Sequence, residues 1–338
     1  MNISLKLLIL FLLLPTLNCQ KSSPELQENP YSDLVATHPS RNANLYSLED
    51  SWEKRIYPLD SQHRDYILKM NLIDKFDTDP IPDSDLSLFK SQLSQISESE
   101  PLELKKLKDK HLLGIYFCKN LGGTGLTGFV YKNNKVIGGY IILDSDLLKL
   151  NANDWAKYKE STIYSPNSGV LRMVIENETG NSPSSTLEFI LNHEFGHIIA
   201  FTHDFLPDLS LKYRDFSKFE FSGSTWKSES ETIYDKDVFP LRSQIHFYSE
   251  NSKLTIANHS LEIYSSLENT NFPTLYSATN PDDDFAESFV SYVHVELQNR
   301  PYQILWNHRD DSVLSYQNGI AHNRCAKKRK LLSSVFQN

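Results

Sequence analysis

One stretch of the chain, SSTLEFILNHEFGHIIAF (residues 184–201), has the pattern of a capped helix. Ser185 and Glu188, three residues apart, predict a capping box at the start of this helix. Apolar side chains recur along it at helical spacing, at Leu187, Ile190, Leu191, Ile198 and Ile199. The stretch is therefore predicted to form a capped helix with an apolar side.

The same helix carries two histidines that flank a glutamate as His-Glu-x-x-His: His193, Glu194 and His197. Residues four apart lie about 40° apart around a helix axis, so both imidazoles are expected to project from one face. There they could reach one Zn²⁺, and Glu194 could take a proton from a water bound to it. The pattern predicts a zinc hydrolase with His193 and His197 as ligands and Glu194 as general base. The alternative is a surface helix with two solvated histidines.

The third ligand could be His203, at the spacing of the metzincin motif H-E-x-x-H-x-x-G-x-x-H. Ala200 stands where that motif has the glycine that lets the helix turn sharply. Metzincins also have a methionine downstream of the motif, and the methionines of this chain are all upstream, at Met1, Met70 and Met173. Both departures make His203 the less favoured ligand.

A carboxylate of YSATNPDDDFAESF (residues 276–289) is the other candidate for the third ligand. Asn280 and Pro281 predict the start of a helix. On that helix Asp283 and Glu287, four residues apart, would share a face. One carboxylate could bind zinc while the other orients a ligating histidine through its second nitrogen.

These two blocks resemble gluzincin-type zinc metallopeptidases, in particular the catalytic domain of anthrax toxin lethal factor and related bacterial peptidases. Those proteins carry H-E-F-G-H, then a tyrosine, a Thr-Asn pair and E-F-F-A-E-A-F. The resemblance implies that Asp283 is the third zinc ligand and that Tyr276 hydrogen-bonds the oxyanion or the leaving group. Asp283 is one methylene shorter than the glutamate of the family, so Glu287 stays open as the ligand in its place.

Further patterns predict an α+β fold, which the resemblance implies to be zincin-like. Residues 46–112 read as a helical N-terminal region and residues 113–338 as the catalytic domain, helical in most of its C-terminal part. The runs GIYFC, GFVYK and KVIGGYIILD within residues 114–144, and GVLRMVIE (169–176), predict a short, mainly antiparallel sheet, with a hairpin turn at KNNK. One of the last two runs is predicted to bind peptide by edge addition.

Three glycines in this region, Gly123, Gly125 and Gly128, have the spacing G-x-G-x-x-G of a dinucleotide-binding loop. That function needs a helix directly after the glycines, because the pyrophosphate binds at its N-terminus. A strand, a turn and another strand are predicted there instead. The glycines are therefore assigned to a bend or loop of the sheet and not to a nucleotide site.

The N-terminus predicts export. Lys6 precedes the apolar run LLILFLLL (residues 7–14), which is too short to span a bilayer and is typical of a signal peptide. Cys19 follows in PTLNC, similar to a bacterial lipobox, so residues 1–18 are predicted to be removed and Cys19 to be lipidated. An ordinary signal peptide with an incidental cysteine is the alternative. Residues 19–45, rich in Ser, Pro, Asn and Gln, are predicted to form a flexible tether.

Charge and cysteine content limit the partners and the compartment. The formal net charge is -9, which argues against nucleic acid as the main partner. Apart from Cys19 the chain has two cysteines, Cys118 and Cys325, which could pair in an oxidising compartment.

Taken together, the patterns predict a zinc metallopeptidase of the bacterial cell envelope, held at a membrane by its lipid and acting on peptide or protein substrates. The rival hypothesis is a surface lipoprotein whose zinc site is structural or vestigial and serves binding or adhesion. A structural site has four protein ligands, and His203 could then be the fourth.

Overall fold

The computed structural model describes residues 27–248, 251–308 and 312–337, which form an α+β fold. The predicted signal peptide, residues 1–18, and Cys19 lie outside these ranges. Within them, no helix combines the length and the apolar character needed to cross a membrane.

Helices and strands alternate irregularly along the chain. The helices are α1 Ser32–Thr37, α2 Ser61–Asp74, α3 Ser87–Ser99, α4 Leu102–His111, α5 Ala152–Ser161, α6 Pro183–Thr202, α7 Ile256–Glu268, α8 Pro281–Ser291 and α9 Ala326–Val335. The strands are β1 Ile56–Pro58, β2 Ile81–Pro82, β3 Leu112–Lys119, β4 Gly125–Lys132, β5 Lys135–Asp144, β6 Leu171–Val174, β7 Gln303–Asn307 and β8 Val313–Gln317.

The larger sheet is mixed, which differs from the mainly antiparallel sheet that we predicted. Its order is β1-β3-β5-β4, with β2 beside the end of β3. β3 runs parallel to both β1 and β5, whereas β4 is antiparallel to β5. The β4–β5 hairpin turns through Asn133 and Asn134, both left-handed, which confirms the turn predicted at KNNK. Because the hairpin inserts β5 next to β3, β4 becomes the edge strand.

The run GVLRMVIE forms β6, but β6 belongs to a separate antiparallel sheet of order β6-β7-β8. Edge addition of a peptide is therefore excluded for KVIGGYIILD, and for GVLRMVIE it stays a prediction. β5 is paired on both sides, and β6 lies in the other sheet. Among the described residues, β4 is the edge strand of the larger sheet that lies beside α6.

The motif helix α6 begins earlier than the capping box predicted. Ser182 is the N-cap, and its hydroxyl accepts a hydrogen bond from the amide of Ser185. Glu188 is not part of a capping box. Its carboxylate accepts from Gln298 and Arg300 instead, at 2.5 and 2.8 Å. The helix therefore gains one more turn before the histidines and is buried along most of its length.

α6 packs between the larger sheet and α8. Gly196, within the His-Glu-x-x-His motif, allows the close approach of α8, since a Cβ at this position would lie 2.9 Å from the Cα of Ala286. A larger residue would push the two helices apart. The packing thereby sets how near the first turn of α8 comes to the histidines of α6.

Residues 27–45 belong to the folded part of the chain, in contrast to the flexible tether that we predicted for residues 19–45. α1 and two short 3₁₀ turns occupy most of the segment, and Val35 is buried in the core. The side-chain amide of Asn29 donates to the carbonyl oxygens of Leu209 and Leu211, at 2.7 and 3.1 Å. The polar composition that suggested a tether instead provides side chains, such as that of Asn29, that form hydrogen bonds with backbone groups.

The two cysteines of the folded part, Cys118 in β3 and Cys325 before α9, are free thiols. Both are buried, and they belong to two different apolar clusters. The pairing that an oxidising compartment would permit is therefore not formed.

Candidate metal centre

Three side chains converge where the first turn of α8 meets α6. The Nε2 atoms of His193 and His197 lie 3.7 and 3.6 Å from Oδ1 of Asp283. One ligand atom from each of the three residues lies within 4.8 Å of the others, so this group could hold a metal ion. The side chains of His197 and Asp283 are 15% and 16% exposed, which leaves the group accessible from solvent.

The start of α8 orients Asp283, as the sequence pattern Asn280-Pro281 indicated. Asn280 caps the helix by accepting a hydrogen bond from the Asp283 amide at 2.8 Å. Its own side-chain amide donates to Asp283 Oδ2 at 2.7 Å, and the Thr279 hydroxyl donates to the same oxygen at 3.3 Å. These bonds hold one carboxylate oxygen and leave Oδ1 directed towards the histidines.

Glu287 lies one helical turn beyond Asp283 and is fully buried behind His193. Its Oε1 atom is 3.1 Å from Nδ1 of His193, the ring nitrogen opposite the one that faces Asp283. Lys159 donates to the same oxygen at 2.7 Å, and the Thr274 hydroxyl donates to Oε2 at 2.7 Å. Of the two carboxylates that the sequence left open, Asp283 is in the group and Glu287 is in position to orient a histidine.

Glu194 is held by the edge strand β4. Thr127 donates to Glu194 Oε2 at 2.7 Å, and a Cβ on Gly125 would lie 2.5 Å from Oε1. Gly128, the last glycine of the G-x-G-x-x-G spacing, leaves room for the ring of Tyr140. The strands that follow the glycines confirm that no helix begins there, and Gly125 provides the space for the Glu194 carboxylate.

Tyr276 lies in a 3₁₀ turn before α8, with its ring centroid 5.8 Å from that of His193. Phe247 packs edge-on against the ring at 4.8 Å, and the Lys159 ammonium lies 3.8 Å from the ring centroid. The tyrosine lines a cleft of about 490 Å³ that contains the histidines, Glu194 and Asp283. Other walls of the cleft come from β4 and from residues 27–31.

Burial and neighbouring charges act in opposite directions on the pKa values of the centre. Burial lowers the pKa of His193, but Asp283 and Glu287 raise it to about 9. Burial raises the pKa of Asp283, yet His193 and His197 bring it below its ordinary value. Burial also raises the pKa of Glu287, and Lys159 with His193 holds it well below the ordinary range. Both carboxylates are therefore ionised and favour a positive charge between them.

His203 does not join this group. α6 stays helical through Ala200 and ends at Thr202, so His203 caps the helix and is directed elsewhere. Its Nδ1 lies 3.0 Å from the hydroxyl of Thr202, and its ring stacks on Phe205 and contacts His111 edge-on. The missing glycine at position 200 is the physical reason, because the helix has no sharp turn there.

Sequence patterns did not indicate two side chains that contact the site, Lys159 and Thr127. Lys159 lies on α5, well before the motif, and no local pattern sets it apart from other lysines. Thr127 lies two residues after Gly125 on β4, and this period of two could have placed both on the face towards α6.

Comparisons of the chain with protein-family models, with curated proteins and with solved structures find no match.

Proposed function

We propose that the protein is a zinc-dependent peptidase with a zincin-like catalytic centre. One observation carries this proposal: His193, His197 and Asp283 converge beside Glu194 in a cleft that solvent can reach. A metal-binding group next to a carboxylate in an accessible cleft is the arrangement that metal-assisted hydrolysis requires.

Zinc suits this group in both chemistry and spacing. Two imidazoles and one carboxylate are common zinc ligands, with bonds of about 2.0–2.2 Å in tetrahedral geometry. Neighbouring ligand atoms are then roughly 3.3–3.6 Å apart, close to the 3.6 and 3.7 Å between Asp283 Oδ1 and the two Nε2 atoms. Three protein ligands leave a fourth position for water or substrate, which favours a catalytic site over the structural site of the rival hypothesis.

Each residue of the centre then has a role in hydrolysis. Bound zinc would supply Lewis acidity and lower the pKa of water. Glu194, fixed by Thr127, accepts the proton of the attacking water and passes it to the leaving amine. Tyr276, on the wall of the cleft, donates a hydrogen bond to the carbonyl oxygen as negative charge develops on it. Glu287 fixes the ring of His193.

The free edge of β4 supports a peptide as the substrate. Residues Gly125, Leu126, Thr127 and Phe129 of this strand line the cleft. Among the described residues, the outer edge of β4 has only an isolated bridge, between Asn42 and Tyr131 at its far end. An extended peptide could therefore pair with the first half of β4 and bring its scissile bond to the metal centre.

We further propose that the protein is exported to the bacterial cell envelope and anchored through a lipid on Cys19, which rests on the sequence pattern alone. Incorporation of a labelled fatty acid into the wild type, and its loss in Cys19→Ala, tests the anchor. Labelling that persists in the variant would contradict it.

The peptidase proposal is tested with wild type and Glu194→Gln. We expect both proteins to bind one zinc ion by elemental analysis, and only the wild type to cleave a broad library of quenched fluorescent peptides. The loss in the variant should be at least about 100-fold, the size of a general-base contribution. A wild-type protein that contains zinc and cleaves no peptide would support the structural or vestigial site instead.

A further inference from the structure

We infer that Lys159 is a positioning residue of the metal centre, whose buried ammonium holds Glu287 against His193 and at the same time supports the ring of Tyr276. The inference rests on the proposed function, because it assigns Lys159 a role in the same centre. It adds a residue on α5, outside the two sequence blocks that supply the ligands.

The first contact of Lys159 is with the carboxylate behind His193. The Lys159 ammonium donates to Glu287 Oε1 at 2.7 Å, and the same oxygen lies 3.1 Å from Nδ1 of His193. One carboxylate oxygen thus accepts a hydrogen bond from the ammonium and lies within ion-pair distance of the imidazole, whose Nδ1 atom has no hydrogen-bond partner among the described residues. Removal of the Lys159 ammonium would free this oxygen to move away from His193, and the ring would lose the charged contact at its Nδ1 atom, which favours its orientation.

The second contact of Lys159 is with the tyrosine. Its Nζ atom lies 3.8 Å from the ring centroid of Tyr276, within the range of a cation–π interaction. Phe247 packs against the same ring edge-on. Lys159 therefore supports the ring between the ammonium and an aromatic neighbour, and it connects the tyrosine to the side chain that orients a ligand.

A buried lysine could also serve only to neutralise a buried carboxylate. Glu287 is fully buried, so an unpaired charge there would destabilise the fold. Thr274 is a further donor to Glu287, but a neutral one. The experiment must therefore separate a general loss of stability from a specific effect on the metal centre.

The chain offers a matched control in Lys108 and Glu100. Their side chains are both fully buried and form an ion pair at 2.6 Å. The Lys108 ammonium also lies 4.6 Å from the ring centroid of Trp52. This second pair has the same chemistry of lysine, carboxylate and aromatic ring, but none of its three members lines the cleft of the metal centre.

The test compares Lys159→Met, Glu287→Gln, their double variant and Lys108→Met. Zinc affinity is measured by competition with a chromophoric chelator, and folding by thermal unfolding. We expect Lys159→Met and Glu287→Gln each to weaken zinc binding by about 10- to 100-fold, as for other groups that orient metal ligands. The double variant should bind zinc within about twofold of Glu287→Gln, because Lys159 acts on zinc through Glu287. Lys108→Met should lower thermal stability and retain wild-type zinc affinity.

Two results would overturn the inference. One is wild-type zinc affinity in a folded Lys159→Met protein, and the other is a double variant in which the two losses multiply. If Lys159→Met does not fold, the double variant still decides, because it leaves no unpaired charge. A further loss of about tenfold relative to Glu287→Gln would then contradict the inference. A wild-type protein that binds no zinc would instead contradict the proposed function.

Discussion

Gly125→Ala should disturb Glu194, the proposed general base, without disturbing the proposed metal ligands. The new Cβ would lie 2.5 Å from Glu194 Oε1 and 2.8 Å from its Cδ and Cγ atoms. Ordinary contacts between such atoms are about 3.5 Å or longer, so the Glu194 carboxylate would have to move by about 1 Å. The backbone of Gly125 is not in the left-handed region, so the alanine itself is not strained there. The three atoms nearest to the new Cβ all belong to Glu194, so the perturbation acts first on that side chain.

A displacement of this size has a predictable effect on catalysis. Misplacing a reacting group by about 1 Å lowers the rate by roughly 100-fold, which corresponds to about 2.7 kcal/mol. We expect Gly125→Ala to lose about this factor in kcat for peptide hydrolysis. Zinc content should stay at the wild-type level, because Gly125 does not approach His193, His197 or Asp283 in the way it approaches Glu194.

Gly123→Ala is the matched control in the same segment. A Cβ on Gly123 would meet only the carbonyl oxygen of Gly125, at 3.8 Å, which is an ordinary contact. This variant should therefore keep wild-type kcat and zinc content. Equal activity of the two variants, or loss of zinc from Gly125→Ala, would refute the prediction that the Glu194 carboxylate needs the space left by the missing side chain at position 125.

Four other variants test the ligand set, a buried acid and a packing glycine. Asp283→Ala should abolish stoichiometric zinc binding and His203→Ala should not; the reverse result in elemental analysis would exclude our ligand assignment. Burial raises the pKa of Glu160 from 4.5 to about 7, so its contribution to stability is complete below pH 4.5 and is lost as the pH rises through 7. Urea unfolding should show about 2–3 kcal/mol of this loss between pH 5 and 8, and Glu160→Gln should remove it; an unchanged pH dependence would refute this assignment. Gly128→Ala would force a methyl group against the buried Tyr140 ring and should lower stability by about 1–3 kcal/mol at unchanged zinc content, whereas wild-type thermal stability would contradict the packing argument.

The parts of the centre that lie on helices could be predicted because a helix fixes the direction of residues four apart. His193 and His197 share a face of α6, and Asp283 and Glu287 share a face of α8, as their spacing indicated. The spacing could not decide which carboxylate joins the histidines. That depends on how closely α8 approaches α6 at Gly196, which is a property of the packing.

The sheet was predicted less well, because runs of β-branched residues indicate strands but not their partners. The turn at Asn133 and Asn134 fixes the β4–β5 hairpin locally. Whether β4 or β5 pairs with β3 depends on contacts distant in sequence, and the structure places β5 there. The sheet edge beside the candidate metal centre therefore belongs to β4, a strand that we had not selected for peptide binding.

The position of Asn29 limits how far the cleft can lie from any anchor at the N-terminus. Its hydrogen bonds to Leu209 and Leu211 fix residues 27–31 to the wall of the cleft. Only eight peptide units separate Cys19 from Gln27, and they span roughly 28 Å when fully extended. A lipid on Cys19 would thus limit the distance between the bilayer surface and the cleft. This distance could not exceed about one hydrocarbon-core thickness, roughly 30 Å. Peptide segments presented close to that surface would be within its reach, and those held further out would not.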